Sequence, residues 1–192
     1  MSKNIVLFGA TGSIGDSVLN VLNESNAEFN LSAVTCNNNY EKISHIASKF
    51  NCKNIGIANN YIYKSEKKYL TNTNIVFGIN NFDEFINDNV DIYILAISGI
   101  VCAELALKLA KTGKIFAIAN KETLISLGKI LIYISVKYKT KIFPLDSEHN
   151  SIYQLIENSN FVYKDIVLTA SGGPFLNLPI NKLKNVTPQQ AV

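Results

Sequence analysis

The chain has 192 residues, 47% of them hydrophobic and 17% charged, which suits one ordinary folded domain, or one domain and the start of another. Its net charge of +3 is too mild to argue for nucleic acid. The basic side chains are all lysine, and the absence of arginine removes the residue that supplies most base readout and bidentate phosphate contacts.

The predicted elements alternate from the start. Strand-like runs fall at 4–8 (NIVLF), 31–35 (LSAVT), 54–58 (NIGIA), 74–78 (NIVFG), 91–96 (DIYILA), 114–119 (KIFAIA) and 140–143 (TKIF). Several lack polar alternation, as strands buried on both faces of a parallel sheet do. Helical stretches lie between them at Ile14–Leu22, Glu41–Phe50 and Val101–Lys111, the last with a stripe of Val101, Leu105, Lys108/Leu109 and Thr112. The fold class expected is α/β, a doubly wound, mostly parallel Rossmann-like sheet with ligands at the strand C-termini. Past Asp146 the rhythm changes to a helix over Ser147–Glu157, a strand over 163–170, a glycine turn, and a tail that reads as the start of another helix. The expected division is residues 1–145 as a nucleotide-binding domain and 146–192 as the beginning of an α+β catalytic domain.

Cys36, Cys52 and Cys102 are odd in number and lack metal-type spacing, which suits a reducing compartment. The first strand begins almost at Met1, leaving no room for a leader, and the longest apolar run (92–103) falls short of the roughly 20 residues that span a bilayer. A cytoplasmic protein with no membrane partner is expected.

Four segments carry chemistry. FGATGSIG (8–15) follows the first strand and opens a helix, with Gly9, Gly12 and Gly15 in a GxxGxxG pattern. Such a turn lets a phosphate approach the backbone and meet the helix N–H groups, with Thr11 and Ser13 adding hydroxyls; the plainer alternative is an ordinary βα turn. NAD-selective sites place an acid about 20 residues on, at the end of the second strand. Here that position reads Val34-Thr35-Cys36-Asn37-Asn38-Asn39, with no acid, which favours NADP. Lys42 is a candidate cation for the 2′-phosphate or simply a solvated helix charge.

Asn120, Lys121 and Glu122 stand where the sixth strand meets a helix. The lysine there can hold a phosphate or polarise a carbonyl, although Glu122 is also a routine first-turn residue. Asp146 and Glu148, one residue apart at the start of a helix, read equally as capping residues or as two hard oxygen ligands for Mg²⁺ or Mn²⁺. TASGGPF (169–175) reads as a tight turn or as a second phosphate cradle at Ser171.

GATGSIG, ANKETLI, PLDSEHNSIYQLI and SGGPF, in this order and at these intervals, resemble the 1-deoxy-D-xylulose 5-phosphate reductoisomerases over essentially the whole chain. The resemblance implies NADPH and a divalent cation, Mg²⁺ or Mn²⁺. It implies a small sugar-phosphate substrate that is rearranged to an aldehyde and reduced to 2-C-methyl-D-erythritol 4-phosphate in isoprenoid synthesis. It implies that Thr11, Gly12, Ser13 and Ile14 hold the pyrophosphate, that Asn37, Asn38 and Asn39 lie at the adenosine end, and that Asn120 and Glu122 touch other parts of the cofactor. Lys121, Ser147, Glu148 and Ser171 would contact substrate and Asp146 and Glu148 the metal, with Lys121, Asp146 and Glu148 catalytic. The complete enzyme is expected to be a homodimer.

Two departures stand out. Asn37-Asn38-Asn39 replaces a common Gly-Lys-Asn, and the family continues past residue 192 with a lid, a third carboxylate ligand, further phosphate ligands and a helical domain. The expectation is therefore that this chain alone binds NADPH weakly or moderately but turns over little or nothing. The alternatives are an inactive nucleotide-binding module of the same family, or another GxxGxxG oxidoreductase such as an aspartate-semialdehyde dehydrogenase or dihydrodipicolinate reductase.

Overall fold

A computed structural model describes residues 2–25, 28–59, 73–157, 164–167 and 173–191. It forms two compact units, Met1–Asn150 and Ser151–Val192. The first is built on seven strands: β1 (Lys3–Phe8), β2 (Phe29–Cys36), β3 (Asn54–Ile57), β4 (Asn74–Phe77), β5 (Ile92–Leu95), β6 (Ile115–Ile118) and β7 (Lys141–Pro144). All seven expected strands are present. They pair in parallel throughout, in the order β4-β3-β2-β1-β5-β6-β7.

The period of two along each strand divides its side chains between two cores. Ile5 and Leu7 of β1 join Val34, Ile55, Ile57 and Ile94 in one, covered by Ile43 and Ile46 of helix α2 (Tyr40–Lys49) and Leu19 of α1 (Ser13–Glu24). Val6 and Phe8 join Tyr93, Leu95, Phe116 and Ile118 in the other, with Leu105 and Leu109 of α3 (Ala103–Leu109) and Leu131 of α4 (Lys121–Tyr138). A sheet sandwiched in this way is largely apolar on both faces, which is why several of its strands read as apolar runs without polar alternation.

α1 and α2 match their expected spans within one or two residues. The third helix differs: Ile100–Cys102 form a 3₁₀ turn after Gly99 (φ +80°), and only then does α3 begin. The change in pitch alters the phase of the expected stripe. Val101 is 60% exposed, and the inward row is Cys102, Leu105, Ala106 and Leu109. Lys108 lies outside, paired with Asp83 at 2.8 Å and Glu104 at 3.1 Å.

A second difference is a 3₁₀ helix, Ile79–Phe85, not foreseen from the sequence. Its Phe82 and Phe85 are buried, and Phe82 stacks on Phe8 with ring centroids 6.3 Å apart. Its two aromatic anchors are three residues apart, which a short polar segment hides from any longer periodicity.

In the second unit, residues 164–167 carry no strand, and the rest of the expected 163–170 strand lies outside the described residues. The tail forms a 3₁₀ helix, Ile180–Asn185, and one turn of helix, Pro188–Ala191. Helix α5 (Ser147–Glu157) has its expected bounds and begins within the first unit.

Because Phe82 is almost fully enclosed against Phe8, Phe85 and the sheet, Phe82→Ala should cost about 3–5 kcal/mol of unfolding free energy. Urea denaturation followed by circular dichroism checks this, and a loss below about 1 kcal/mol would mean that the helix is a surface ornament rather than part of the core.

Candidate active site

The strand order reverses direction between β1 and β5, and the loops that follow these strands meet there. Gly9, the first residue after β1, has φ +88°, and a Cβ placed on it would come within 2.6 Å of the Ala96 carbonyl oxygen. Its N–H donates to Thr35 Oγ1 at 3.0 Å, and the Ala10 N–H donates to the Thr35 carbonyl at 2.8 Å. A Cβ at Gly15 would stand 2.5 Å from the Ala10 carbonyl oxygen, so this glycine lets α1 pack on the turn that feeds it. Only glycine satisfies both contacts without backbone movement.

Gly12 plays a different part. It is the N-cap of α1 with φ −84° and ψ 174°, and the nearest atom to an added Cβ is 3.6 Å away. Gly12 offers no side-chain cap, and among the described residues no other side chain is bonded there. The leading N–H groups of α1 therefore have no hydroxyl or carboxylate partner at the cap, and the positive end of the helix dipole is left facing outward. Thr11 is half-buried beside it, while Ser13 and Ile14 are exposed.

These residues open on a cleft of about 530 Å³. Gly9, Thr11 and Gly12 line it from the turn, Cys36 and Asn37 from the end of β2, Ala58 from just beyond β3, Phe82 from the 3₁₀ helix, and Ala96, Ile97, Ser98 and Val101 from beyond β5. Burial pushes the Cys36 thiol up to about 12, so it carries no charge into the cleft near neutral pH. Asn37 lines the wall; Asn38 is exposed; Asn39 caps α2, its Oδ1 accepting from the Lys42 N–H at 3.0 Å. Lys42 is not simply solvated. Its Nζ donates to Asp16 Oδ2 at 2.7 Å and to the Thr11 carbonyl at 3.0 Å.

At the end of β6, Asn120 is 2% exposed and its side chain is fully engaged. Oδ1 accepts from the Thr123 N–H at 2.6 Å, capping α4, and Nδ2 donates to the Ile97 and Gly99 carbonyls at 2.6 and 2.7 Å. Asn120 thus ties the helix to the loop that forms one wall of the cleft. Lys121 and Glu122 lie exposed in the first turn of α4.

Lys121 reaches across to the next strand end. Its Nζ is 3.0 Å from Asp146 Oδ2, with side-chain exposures of 61% for the lysine and 13% for the aspartate. The hydrogen bond from Lys121 holds the Asp146 carboxyl below the usual aspartate range, and the same bond raises the lysine. Ser147 Oγ donates to Glu148 Oε2 at 2.8 Å, and the Asn150 N–H donates to the Asp146 carbonyl at 2.8 Å as α5 begins. Asp146, Ser147, Glu148 and Lys121 therefore share one corner at the C-terminal edge of the sheet. Ser171 lies outside the described residues. Among the described residues, no group of three or more His, Cys, Asp or Glu side chains is arranged to hold a metal.

Sequence reasoning missed the wall formed by Ala96–Ser98, Val101 and Phe82. One signal was available: a doubly wound order puts a later strand beside the first across the switch point, and Gly99 marks the loop after one such strand.

A parallel sheet whose glycine turn faces a cleft at the switch point defines a Rossmann-like domain, here with a lysine–carboxylate corner at the same edge. The family model for 1-deoxy-D-xylulose 5-phosphate reductoisomerase matches residues 5–128, and the model for the C-terminal domain of that enzyme matches residues 142–192. The chain belongs to the 1-deoxy-D-xylulose 5-phosphate reductoisomerase family.

It is 35% identical over 193 residues to the reductoisomerase of Wolbachia pipientis subsp. Culex pipiens (strain wPip), covering 99% of this chain and 49% of the relative. The solved enzyme from Zymomonas mobilis in complex with NADPH superposes with a TM-score of 0.87 at 32% identity, over 100% of this chain and 52% of that one. A DOX-P reductoisomerase in complex with NADPH, fosmidomycin and magnesium gives 0.83 at 30% identity, over 99% and 50%. The chain thus spans about half the length of the relatives it matches. Among the described residues no helix is long and apolar enough to cross a membrane.

The ion pair has a signed pH dependence. Asp146 is depressed in the fold, so its contribution to stability is present above the unfolded aspartate pKa and is lost as pH falls through the folded value. Lys121 is raised, so its contribution is present below the unfolded lysine pKa and is lost as pH rises through the folded value. An NMR titration should place the Asp146 midpoint below that of an ordinary aspartate, and Lys121→Met should move it upward. A midpoint indifferent to that substitution would show that the pair does not form in solution.

Proposed function

We propose that this chain supplies the NADPH-binding part, and one corner of the metal and substrate site, of an enzyme that converts 1-deoxy-D-xylulose 5-phosphate to 2-C-methyl-D-erythritol 4-phosphate. The observation that carries the reading is the uncapped N-terminus of α1, set at the switch point and opening on a nucleotide-sized cleft. Residues 1–145 form the nucleotide-binding part and 146–192 begin the catalytic part. The phosphate-facing backbone is that of Thr11, Gly12, Ser13 and Ile14. Asn37–Asn39 flank the adenosine end, where the lack of an acid leaves room for a 2′-phosphate. Asn120 acts by holding the Ile97–Gly99 loop, and Glu122 stands next to it on the same rim.

When bound, NADPH supplies the hydride for the aldehyde formed by rearrangement. Asp146 and Glu148 fit a hard divalent cation such as Mg²⁺ or Mn²⁺, which supplies Lewis acidity at the substrate oxygens; both offer carboxylate oxygen from one turn. Lys121 is already charged and held at that corner, placed to meet a phosphate or an oxygen that develops charge. Ser147, Glu148 and Ser171 complete the contacts we assign to substrate. A homodimer in the cytoplasm is the assembly and location we assign to the complete enzyme.

The reading is tested first by titrating the chain with NADPH and following nicotinamide fluorescence, which should saturate. Gly12→Asp is the informative variant, because its backbone conformation and surrounding space accept a side chain. An aspartate there would cap α1, leaving the melting temperature unchanged or slightly raised, while weakening NADPH by at least about tenfold through repulsion. Equal affinity in both proteins would make the turn a merely structural one. Binding without turnover of 1-deoxy-D-xylulose 5-phosphate would mark the chain as a nucleotide-binding module of the same family. For the cation, Mn²⁺ paramagnetic resonance should show binding that Asp146→Ala removes, and a signal that survives this substitution would exclude the corner.

A further inference from the structure

Asp16 poses an electrostatic difficulty that the proposed function does not resolve. It is the acidic residue of the first turn of α1. A carboxylate there favours the helix by complementing its dipole, but for the same reason it weakens the attraction of that helix end for a phosphate. Lys42 answers both sides. It comes from α2, 26 residues further along the chain, and its ammonium bonds Asp16 Oδ2 at 2.7 Å and the Thr11 carbonyl at 3.0 Å at the same time. Both side chains are about half-buried, at 34% and 49% exposure, so solvent screens the pair only in part.

Lys42 is itself anchored. Its own N–H donates to Oδ1 of Asn39, the cap of α2, so the segment at the end of β2 is connected through Lys42 to the turn at the end of β1.

Resting on the NADPH reading above, we propose that Lys42 is a positioning residue for the cofactor's phosphates: it cross-links the glycine turn to α2 and cancels the Asp16 charge, so that the first turn of α1 keeps its positive potential in a fixed geometry. The effect acts on the pyrophosphate, which NADPH and NADH share. It is therefore distinct from recognition of the 2′-phosphate, which only NADPH carries.

The test uses the 192-residue chain and Lys42→Met, which keeps an unbranched side chain one atom shorter and removes its charge. Both NADPH and NADH should weaken by about tenfold at low salt, by the same factor. Asp16→Asn added to Lys42→Met should recover most of that loss, because the uncompensated carboxylate is then gone. Without nucleotide, hydrogen exchange at amides 9–16 should be faster in Lys42→Met than in the parent. Weakening of NADPH with NADH unchanged would overturn the proposal and make Lys42 a 2′-phosphate ligand. A lower melting temperature with both affinities intact would reduce it to a brace of the fold. If the parent chain binds neither nucleotide, the functional reading fails, and the exchange rates alone still decide whether the clamp exists; unchanged rates overturn it.

Discussion

The contact on which the rest depends is the approach of the backbone after β1 to the backbone after β5. These strands are neighbours in space although three others intervene in sequence, and the chain can bring them together only if Gly9 has no side chain. That contact places a cleft at the reversal of strand order, because α1 leaves to one side of the sheet and the Ile97–Gly99 loop to the other. The hydrogen bonds from Gly9 and Ala10 to Thr35 then set the turn against β2. A glycine turn elsewhere on the sheet would have the same local shape but no facing wall.

The electrostatics of the rim follow from a chain that has lysine but no arginine. Among the described residues, Lys42 reaches Asp16 and Lys121 reaches Asp146 at the C-terminal edge. A lysine ammonium is a compact charge on a flexible stem, suited to bridging one carboxylate and a carbonyl, less suited to a bidentate grip. The two pairs differ in what they leave available. Lys42 holds a backbone carbonyl as well as its acid, whereas Lys121 is largely exposed and pairs with an aspartate that a cation would also attract. A cation arriving at Asp146 and Glu148 would loosen the hold on Lys121 and free it toward an anionic ligand. On the proposed function, metal and anion binding at this corner would therefore be coupled through one lysine.

The fold was legible because the central strands are largely apolar on both faces, and the seven runs expected from the sequence are the seven strands of the sheet. What escaped was set by contacts remote in sequence. The 3₁₀ helix Ile79–Phe85 is too short for a helical period, and its order depends on Phe8, more than seventy positions earlier. The phase of Val101 was misjudged because Gly99 starts a tighter turn before α3. At the site, the glycine spacing and the DSEH segment pointed to residues that do share one sheet edge. The partnership of Lys42 with Asp16 has no local signal, since it depends on α1 and α2 packing on the same face of the sheet.

Asn120 shows why a residue's place in a motif and its physical work can differ. In ANKETLI it stands among polar residues at a strand end, where direct contact with a ligand is the natural reading. Its side chain instead satisfies an N–H of α4 and two carbonyls of the cleft wall, and is buried in doing so. A buried amide with both ends bonded cannot turn toward a ligand without orphaning three backbone groups, each of which would cost about 1–3 kcal/mol. What it can do is hold the Ile97–Gly99 backbone still. Any contact Asn120 makes with a nucleotide would then be made through its main chain, and its amide side chain acts on the ligand only by fixing the wall that the ligand meets.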